Sequence, residues 1–249
     1  MLLPDESSAL VKRIQYKGLL SCSLHDAGEV MTEIDLTRAL ERIREAIRPY
    51  PPAALFALAE EGYRSPFEVL VACVLSIRTR DETTVPVARR LFAEARTPEA
   101  LLQLAPSRLL ELIRPVTFAE QKVETLHAIA HDVLTRYHGH VPCTDEALRG
   151  FRGVGPKCAN LTLTIACGIP RIAVDVHVHR IVNRWGYVQT RTPEETLQAL
   201  EVRVPRALWG EINPLLVPFG KHYCTPTRPW CSRCPVVDMC ARVGVSVSR

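Results

Sequence analysis

Four cysteines near the C-terminus constrain this chain more than any other feature. They lie in CTPTRPWCSRCPVVDMC with the spacing C-x6-C-x2-C-x5-C. Thiols held so close together either form disulfides or bind a metal centre. We identify no secretory leader, so we expect a reducing compartment, which favours the metal centre. The four candidate ligands are Cys224, Cys231, Cys234 and Cys240.

The spacing also bears on the kind of metal. A structural zinc usually takes its ligands from two separated knuckles. Here the ligands form one contiguous run with a single C-x2-C, which suits an iron–sulfur cluster better. The spacing alone leaves a zinc site open, and also a cysteine-rich tail without a metal.

Charge and hydropathy narrow the classes of partner. The formal net charge of +4 is modest and 47% of the residues are hydrophobic. No apolar run reaches the ~20 residues that span a bilayer, so no membrane partner is expected. A polyanion surface must therefore be local. The segment 221–249 carries five Lys or Arg residues against Asp238 alone, and Arg228 lies within the cysteine run. We expect Arg228 to contact phosphate, with a solvated basic tail as the alternative.

Helix signals run along most of the chain. Ser-Pro-Phe-Glu at 65–68 is a capping box with proline at the first helical position, and Thr-Pro-Glu-Glu at 192–195 repeats it. Apolar residues of 34–47 lie mostly three or four apart. We predict an all-α fold of about ten helices with short connections. Residues 1–30 show weak periodicity, so we expect an extension that packs poorly, with an extra docked helix as the alternative.

The other five cysteines are scattered and are predicted to be small buried apolar residues: Cys22, Cys73, Cys143, Cys158 and Cys167.

A glycine turn provides the second informative motif. Gly153-Val154-Gly155 separates two predicted helices, and two glycines allow a tight turn with uncovered N–H groups at a helix N-terminus. Such a turn binds phosphate, although an ordinary helical hairpin is the alternative. Lys157 opens the second helix, and Asp175 follows in IAVDVHVHR near the next helix start. The fold can place this carboxylate beside the amine, or the two residues can be a surface charge and a helix cap.

Three motifs together resemble one family. G-V-G-x-K-x-A, A-V-D-x-H-x-x-R and the cysteine spacing, in this order, are similar to the endonuclease III family of DNA glycosylases. The resemblance runs from about 32 to 242 and implies a two-domain helix-hairpin-helix DNA glycosylase fold. A six-helix barrel domain (59–169) would carry the helix-hairpin-helix at about 144–168. An iron–sulfur domain (31–58 plus 170–249) would hold a [4Fe-4S] cluster.

The resemblance also implies roles for particular residues. Lys157 would be the nucleophile and Asp175 its electrostatic and acid–base partner. Gly153, Gly155 and the Val154 amide would clamp a DNA phosphate. The cluster ligands would be Cys224, Cys231, Cys234 and Cys240. His177 lies close by and is expected to support the DNA-binding site.

This chain departs from the family pattern where the flipped nucleotide leaves a gap. Arg78 stands where the family usually has glutamine, and would fill that gap. Thr117 replaces a glycine and Ala119 an aromatic residue, which leaves Phe118 as the candidate second wedge.

The implied function is a base excision repair enzyme. It would remove oxidised pyrimidines from duplex DNA and cleave the abasic strand by β-elimination through a Lys157 imine. The expected partner is double-stranded DNA with damaged bases or abasic sites, bound by a monomer in the cytoplasm at the nucleoid. An amine attacks only when neutral, so we expect the site to lower the Lys157 pKa, although Asp175 acts in the opposite direction. The alternatives are a monofunctional glycosylase, which Lys157 argues against, and a DNA-binding iron–sulfur protein with weakened catalysis.

Overall fold

The computed structural model describes residues 34–249, which lie within one compact unit. Every regular element in this range is helical, so the predicted all-α class is confirmed. The expectation for residues 1–30 falls outside the described residues. None of the described helices is both long enough and apolar enough to cross a membrane.

The α-helices are α1 (Leu36–Ile47), α2 (Ala54–Glu60), α3 (Pro66–Ser76), α4 (Asp81–Phe92), α5 (Pro98–Gln103), α6 (Pro106–Ile113), α7 (Ala119–Tyr137), α8 (Asp145–Arg149), α9 (Pro156–Ile165), α10 (Val176–Arg184), α11 (Pro193–Arg203) and α12 (Trp209–His222). Three single 3-10 turns complete the secondary structure: Arg206–Leu208, Cys231–Arg233 and Val237–Met239.

Local capping explains where several helices begin. The Ser65 hydroxyl accepts from the Glu68 amide at 3.2 Å, and the Glu68 carboxylate accepts from the Ser65 amide at 3.0 Å. This is the predicted capping box at the start of α3. Thr192 caps α11 in the same position, accepting from the Glu195 amide at 3.1 Å.

The buried apolar side chains divide into two cores. The first core is built by α2 to α9, with α3 buried along its length from Phe67 to Leu75. The second core is built by α1, α10 and α12 with parts of α11 and the cysteine run. The change from one core to the other falls after α9.

Two of the five scattered cysteines contradict the prediction of small buried residues. Cys73 and Cys158 are buried as expected, and Cys22 lies outside the described residues. Cys143 and Cys167, however, are accessible and form a disulfide, with their Cα atoms 5.9 Å apart. The hairpin of α8 and α9 returns the chain to its starting point, so cysteines far apart in sequence come within bonding distance. The bridge encloses both helices and the glycine turn.

Candidate active site

The glycine turn joins α8 to α9 as the sequence predicted. Gly153 has a φ of +74°, a left-handed conformation that favours glycine, and a Cβ there would lie 3.2 Å from Thr125 Cγ2. The Val154 amide donates to the Phe151 carbonyl at 3.2 Å and is engaged within the turn. Within residues 34–249, the amides of Gly153 and Gly155 make no backbone hydrogen bond. These two amides are therefore the free donors of the turn, together with the N-terminus of α9.

Lys157, the second residue of α9, lies where two cavities meet. One is a small cavity of about 200 Å³ beside the turn, lined by Gly153 and Gly155. The other is a cleft of about 1000 Å³ whose walls come from helices of both cores. Asp175 lines the same cleft. The fold thus gathers the lysine, the carboxylate and the glycine turn around one space.

Asp175 has a structural role as well as a place in the cleft. It is the N-cap of α10, and its Oδ1 accepts from the amides of His177 and Val178, both at 2.9 Å. These two hydrogen bonds fix the orientation of the carboxylate. The helix-cap alternative from the sequence is therefore correct, and it is compatible with the position in the cleft.

The electrostatic surroundings of Lys157 differ from the expectation. Burial lowers the pKa of Lys157, but the acidic groups of Cys73, Asp175, Cys158 and Asp81 act in the opposite direction. The sum raises the pKa above its usual value. The prediction of a lowered pKa is wrong for the DNA-free protein, because several acidic groups outweigh the effect of burial.

His177 connects the cleft to the cysteine run. Its Nδ1 lies 3.1 Å from Arg180 Nη2, and the same guanidinium donates to the carbonyl of Cys224 at 2.7 Å. Burial is the largest effect on the His177 pKa and lowers it. A Cβ at Gly220 would lie 2.6 Å from His177 Nδ1, so α10 and α12 approach closely only because residue 220 is glycine.

An ion pair across the cleft was missed by sequence reasoning. Lys221 Nζ of α12 lies 2.6 Å from Asp81 Oδ2 of α4, which also accepts from the Ala54 amide at 3.0 Å. In the sequence, Lys221 belongs to the basic segment 221–249. Asp81 begins a helix, where an acidic residue is ordinary, so the sequence carried no signal for this contact.

The two wedge candidates lie beside each other. Arg78 and Phe118 are exposed and have left-handed backbones, with φ of 54° and 58°. The Arg78 guanidinium carbon lies 5.8 Å from the centre of the Phe118 ring. Arg78 also lines the cleft.

The four C-terminal cysteines line one small cavity, whose other walls are mainly aromatic and aliphatic. Within residues 34–249, no group of three or more His, Cys, Asp or Glu side chains is arranged to hold a metal ion. The donor set around the cavity nevertheless suits an iron–sulfur cluster, because it consists of soft sulfur ligands in apolar surroundings. Two N–H groups point at these sulfurs: Arg184 Nη1 lies 3.4 Å from Cys224 Sγ, and the Arg242 amide lies 3.4 Å from Cys240 Sγ.

Arg228 is exposed and does not itself line the cleft, although Pro226 of the same loop does. The Arg228 carbonyl accepts from the Thr225 hydroxyl at 2.9 Å. The guanidinium of Arg184, the last residue of α10, donates to the carbonyls of Thr225 and Pro226. The loop that carries Arg228 is thus hydrogen-bonded to α10.

Comparison with known proteins agrees with this geometry. The family model described as HhH-GPD superfamily base excision DNA repair protein matches residues 71–206. Endonuclease III of Thermotoga maritima is 44% identical over 200 residues, covering 80% of this chain and 91% of that protein. The chain belongs to the endonuclease III family. As a member, it is a base excision repair enzyme of the DNA glycosylase/AP lyase class.

Further relatives and solved structures extend the comparison. Endonuclease III-like protein 1 of Bos taurus is 43% identical over 68% of this chain, but the match spans only 56% of the bovine protein. A trapped endonuclease III–DNA covalent intermediate superposes with a TM-score of 0.73 at 28% identity, covering 82% of this chain and 93% of the other. A thermostable thymine-DNA glycosylase shares the fold, with a TM-score of 0.67 at 21% identity, covering 81% of this chain and 96% of that one.

Proposed function

We propose that this endonuclease III family enzyme removes oxidised pyrimidines from duplex DNA and cleaves the abasic strand through an imine on Lys157. The observation that carries the proposal is that Lys157 of α9 and Asp175 at the start of α10 line one cleft beside the glycine turn. The similarity to a trapped endonuclease III–DNA covalent intermediate supports a covalent step.

The reaction requires an extrahelical nucleotide. A damaged base within the stack is inaccessible, so the nucleotide first rotates into the cleft. The neutral Lys157 amine then attacks C1′ of the deoxyribose, the glycosidic bond breaks, and the base leaves with a proton. The sugar ring opens to an imine with Nζ. Loss of a C2′ proton then expels the 3′ phosphate by β-elimination.

Asp175 has two tasks in this sequence. The raised pKa keeps Lys157 protonated in the free enzyme, so the ammonium must lose a proton before attack. Asp175 lies in the same cleft with its orientation fixed by the α10 cap, and we assign it as the acceptor. Asp175 then passes this proton to the departing base, and the carboxylate that is restored stabilises positive charge on the sugar.

The remaining site residues bind DNA in this proposal. The turn of Gly153, Val154 and Gly155 holds a backbone phosphate, chiefly through the two glycine amides. Arg78 and Phe118 fill the gap in the duplex, and two further residues have supporting roles: His177, which steadies the start of α10, and Arg228, which contacts phosphate. The substrate is double-stranded DNA with damaged bases or abasic sites, bound by a monomer in the cytoplasm at the nucleoid.

The four cysteines are the proposed ligands of a [4Fe-4S] cluster. When bound, such a group would cross-link the segment 224–240 and keep its basic loop in place. Arg184 and the Arg242 amide would donate N–H groups to the ligand sulfurs. We also propose that the two cores correspond to a barrel domain and an iron–sulfur domain.

Borohydride trapping tests the proposal. Incubating the protein with a duplex containing an abasic site and borohydride should give a covalent protein–DNA adduct. In Lys157→Ala, adduct formation should fall at least about a thousandfold, because the nucleophile is absent. Duplex binding, measured in parallel by fluorescence anisotropy, should persist in this variant.

Other outcomes would contradict the proposal. Base release from an oxidised duplex without an adduct would indicate a monofunctional glycosylase. Duplex binding with neither release nor adduct would indicate a DNA-binding iron–sulfur protein whose catalysis is weakened.

A further inference from the structure

Two neighbouring surface loops carry the wedge candidates, and the loop of Arg78 lines the cleft. The Arg78 loop (residues 77–80) joins α3 to α4, and the Phe118 turn (residues 114–118) joins α6 to α7. Arg78 and Phe118 both have left-handed backbones although neither is glycine. A residue with a Cβ is strained in this conformation, and it persists only where surrounding contacts impose it.

Thr117 supplies a contact that joins the two loops. Its Oγ1 donates to the Arg78 carbonyl at 2.9 Å, and its backbone amide donates to Thr79 Oγ1 at 3.2 Å. Both groups of one residue thus bind the opposite loop. The exposed position of Thr117 means that these bonds serve the loops rather than the core.

Lys122 of α7 adds buried hydrogen bonds to the Arg78 loop and to the end of α3. Its buried Nζ donates to the carbonyls of Leu75 and Ile77, both at 2.8 Å, and to Thr79 Oγ1 at 3.1 Å. The Thr79 hydroxyl in turn donates to the Ile77 carbonyl at 3.3 Å. The Thr79 hydroxyl therefore uses its one proton and both lone pairs, so all of its hydrogen-bonding groups are satisfied.

The network fixes how the two wedge side chains meet. The Arg78 carbonyl bound by Thr117 belongs to the residue whose guanidinium lies 5.8 Å from the Phe118 ring. Arg78 therefore contacts two consecutive residues of the opposite turn, Thr117 through its carbonyl and Phe118 through its guanidinium. A cation–π contact of this kind is weak at an exposed site, so the hydrogen bond from the Thr117 hydroxyl is needed to keep the pair together.

We propose that Thr117 is a positioning residue that makes Arg78 and Phe118 enter the duplex as one rigid unit. This inference rests on the proposed function and assigns to Thr117 part of the selectivity for nucleotides that must be extruded from paired DNA. A nucleotide that is already unpaired needs less help from the wedge, because less stacking and pairing is lost. Thr117 should therefore matter more for paired substrates than for unpaired ones.

The experiment compares two duplexes with the same thymine glycol lesion, one fully paired and one with the lesion in a mismatched bubble. In Thr117→Val, the ratio of single-turnover excision rates, bubble over paired, should rise about fivefold, the worth of one hydrogen bond. Thr117→Ser keeps the hydroxyl and should restore the wild-type ratio. Thr135→Val is the matched control, because Thr135 is also exposed but bonds only within its own helix.

A double variant and a measurement of unstacking also test the role of Thr117. If Thr117 acts through Arg78, adding Thr117→Val to Arg78→Ala should raise the ratio no further. An equal loss on both duplexes, or no rescue by serine, would overturn the proposal. If wild-type protein excises the lesion from neither duplex, the proposed function fails. The inference about Thr117 can still be tested, because the fluorescence of 2-aminopurine beside the lesion reports unstacking without chemistry. Unstacking that is unaltered in Thr117→Val would then overturn the inference.

Discussion

Lys157 and Lys122 both lie on helices of the first core, α9 and α7, and their surroundings differ. Lys122 is 5% exposed, and its three hydrogen bonds go to neutral carbonyl and hydroxyl groups. Burial lowers its pKa to about 8, against a smaller upward effect of Cys158. Around Lys157, acidic groups outweigh burial and the pKa is raised.

The difference shows that enclosure alone does not identify the reactive amine. A lowered pKa is often taken as a mark of a catalytic lysine. Here that criterion selects Lys122, whose Nζ is committed to three acceptors. Lys157 lines the cleft that Asp175 of the next helix also lines. For the nucleophile that we propose, access and a nearby proton acceptor are therefore better criteria than the pKa in the free protein.

The largest effect in this comparison is expected from removing the charge of Asp175 while leaving the packing around Lys157 unchanged. In Asp175→Asn, single-turnover base excision should fall by about a thousandfold, because the proton acceptor and the stabilising charge are lost. Asparagine caps helices as well as aspartate does, so the free energy of unfolding in urea should change by less than about 1 kcal/mol. Excision that falls only in proportion to lost stability would show that Asp175 is a helix cap and nothing more.

Removing the other amine should affect stability rather than chemistry. Lys122→Met leaves the Leu75 carbonyl without a donor inside the protein, whereas the Ile77 carbonyl keeps the Thr79 hydroxyl. An unsatisfied buried acceptor costs about 1–3 kcal/mol, so the free energy of unfolding should fall by about 2 kcal/mol. Lys157→Met is the matched control, since Lys157 makes no comparable hydrogen bonds among the described residues. Equal losses in the two variants would remove the distinction between the lysines.

The lowered pKa of Lys122 predicts a smaller effect of pH. Between the folded value of about 8 and the usual value of 10.5, the unfolded chain binds a proton that the folded chain has released. Stability gained from this group therefore rises with pH across that window and is constant below it. The wild-type unfolding free energy, relative to Lys122→Met, should increase between pH 8 and 10 in urea titrations. A flat difference would mean that Lys122 stays protonated.

Features set by neighbouring residues were predictable from the sequence. The caps at Ser65 and Thr192 depend on residues three positions away, and the glycine turn is followed directly by Lys157. The four C-terminal cysteines lie within one short run, and all four line one cavity.

Features set by packing between distant segments were not predictable. The ion pair of Asp81 with Lys221 joins helices from different cores, and no local pattern reports it. The disulfide depends on how closely α8 and α9 pair. For Lys122 a signal existed: it lies on the buried side of α7 together with Val123 and Leu126. A lysine among apolar positions needs acceptors, but the sequence does not say which carbonyls supply them.

The bridge between Cys143 and Cys167 turns the glycine turn and its two helices into a covalent ring. A protease that nicks this ring at the exposed Arg152 leaves both pieces on one molecule. The fragments would run separately on a denaturing gel only after a thiol reductant opens the bridge. A nicked enzyme with an intact bridge would therefore keep Lys157 linked by bonds to the chain on either side of the cut.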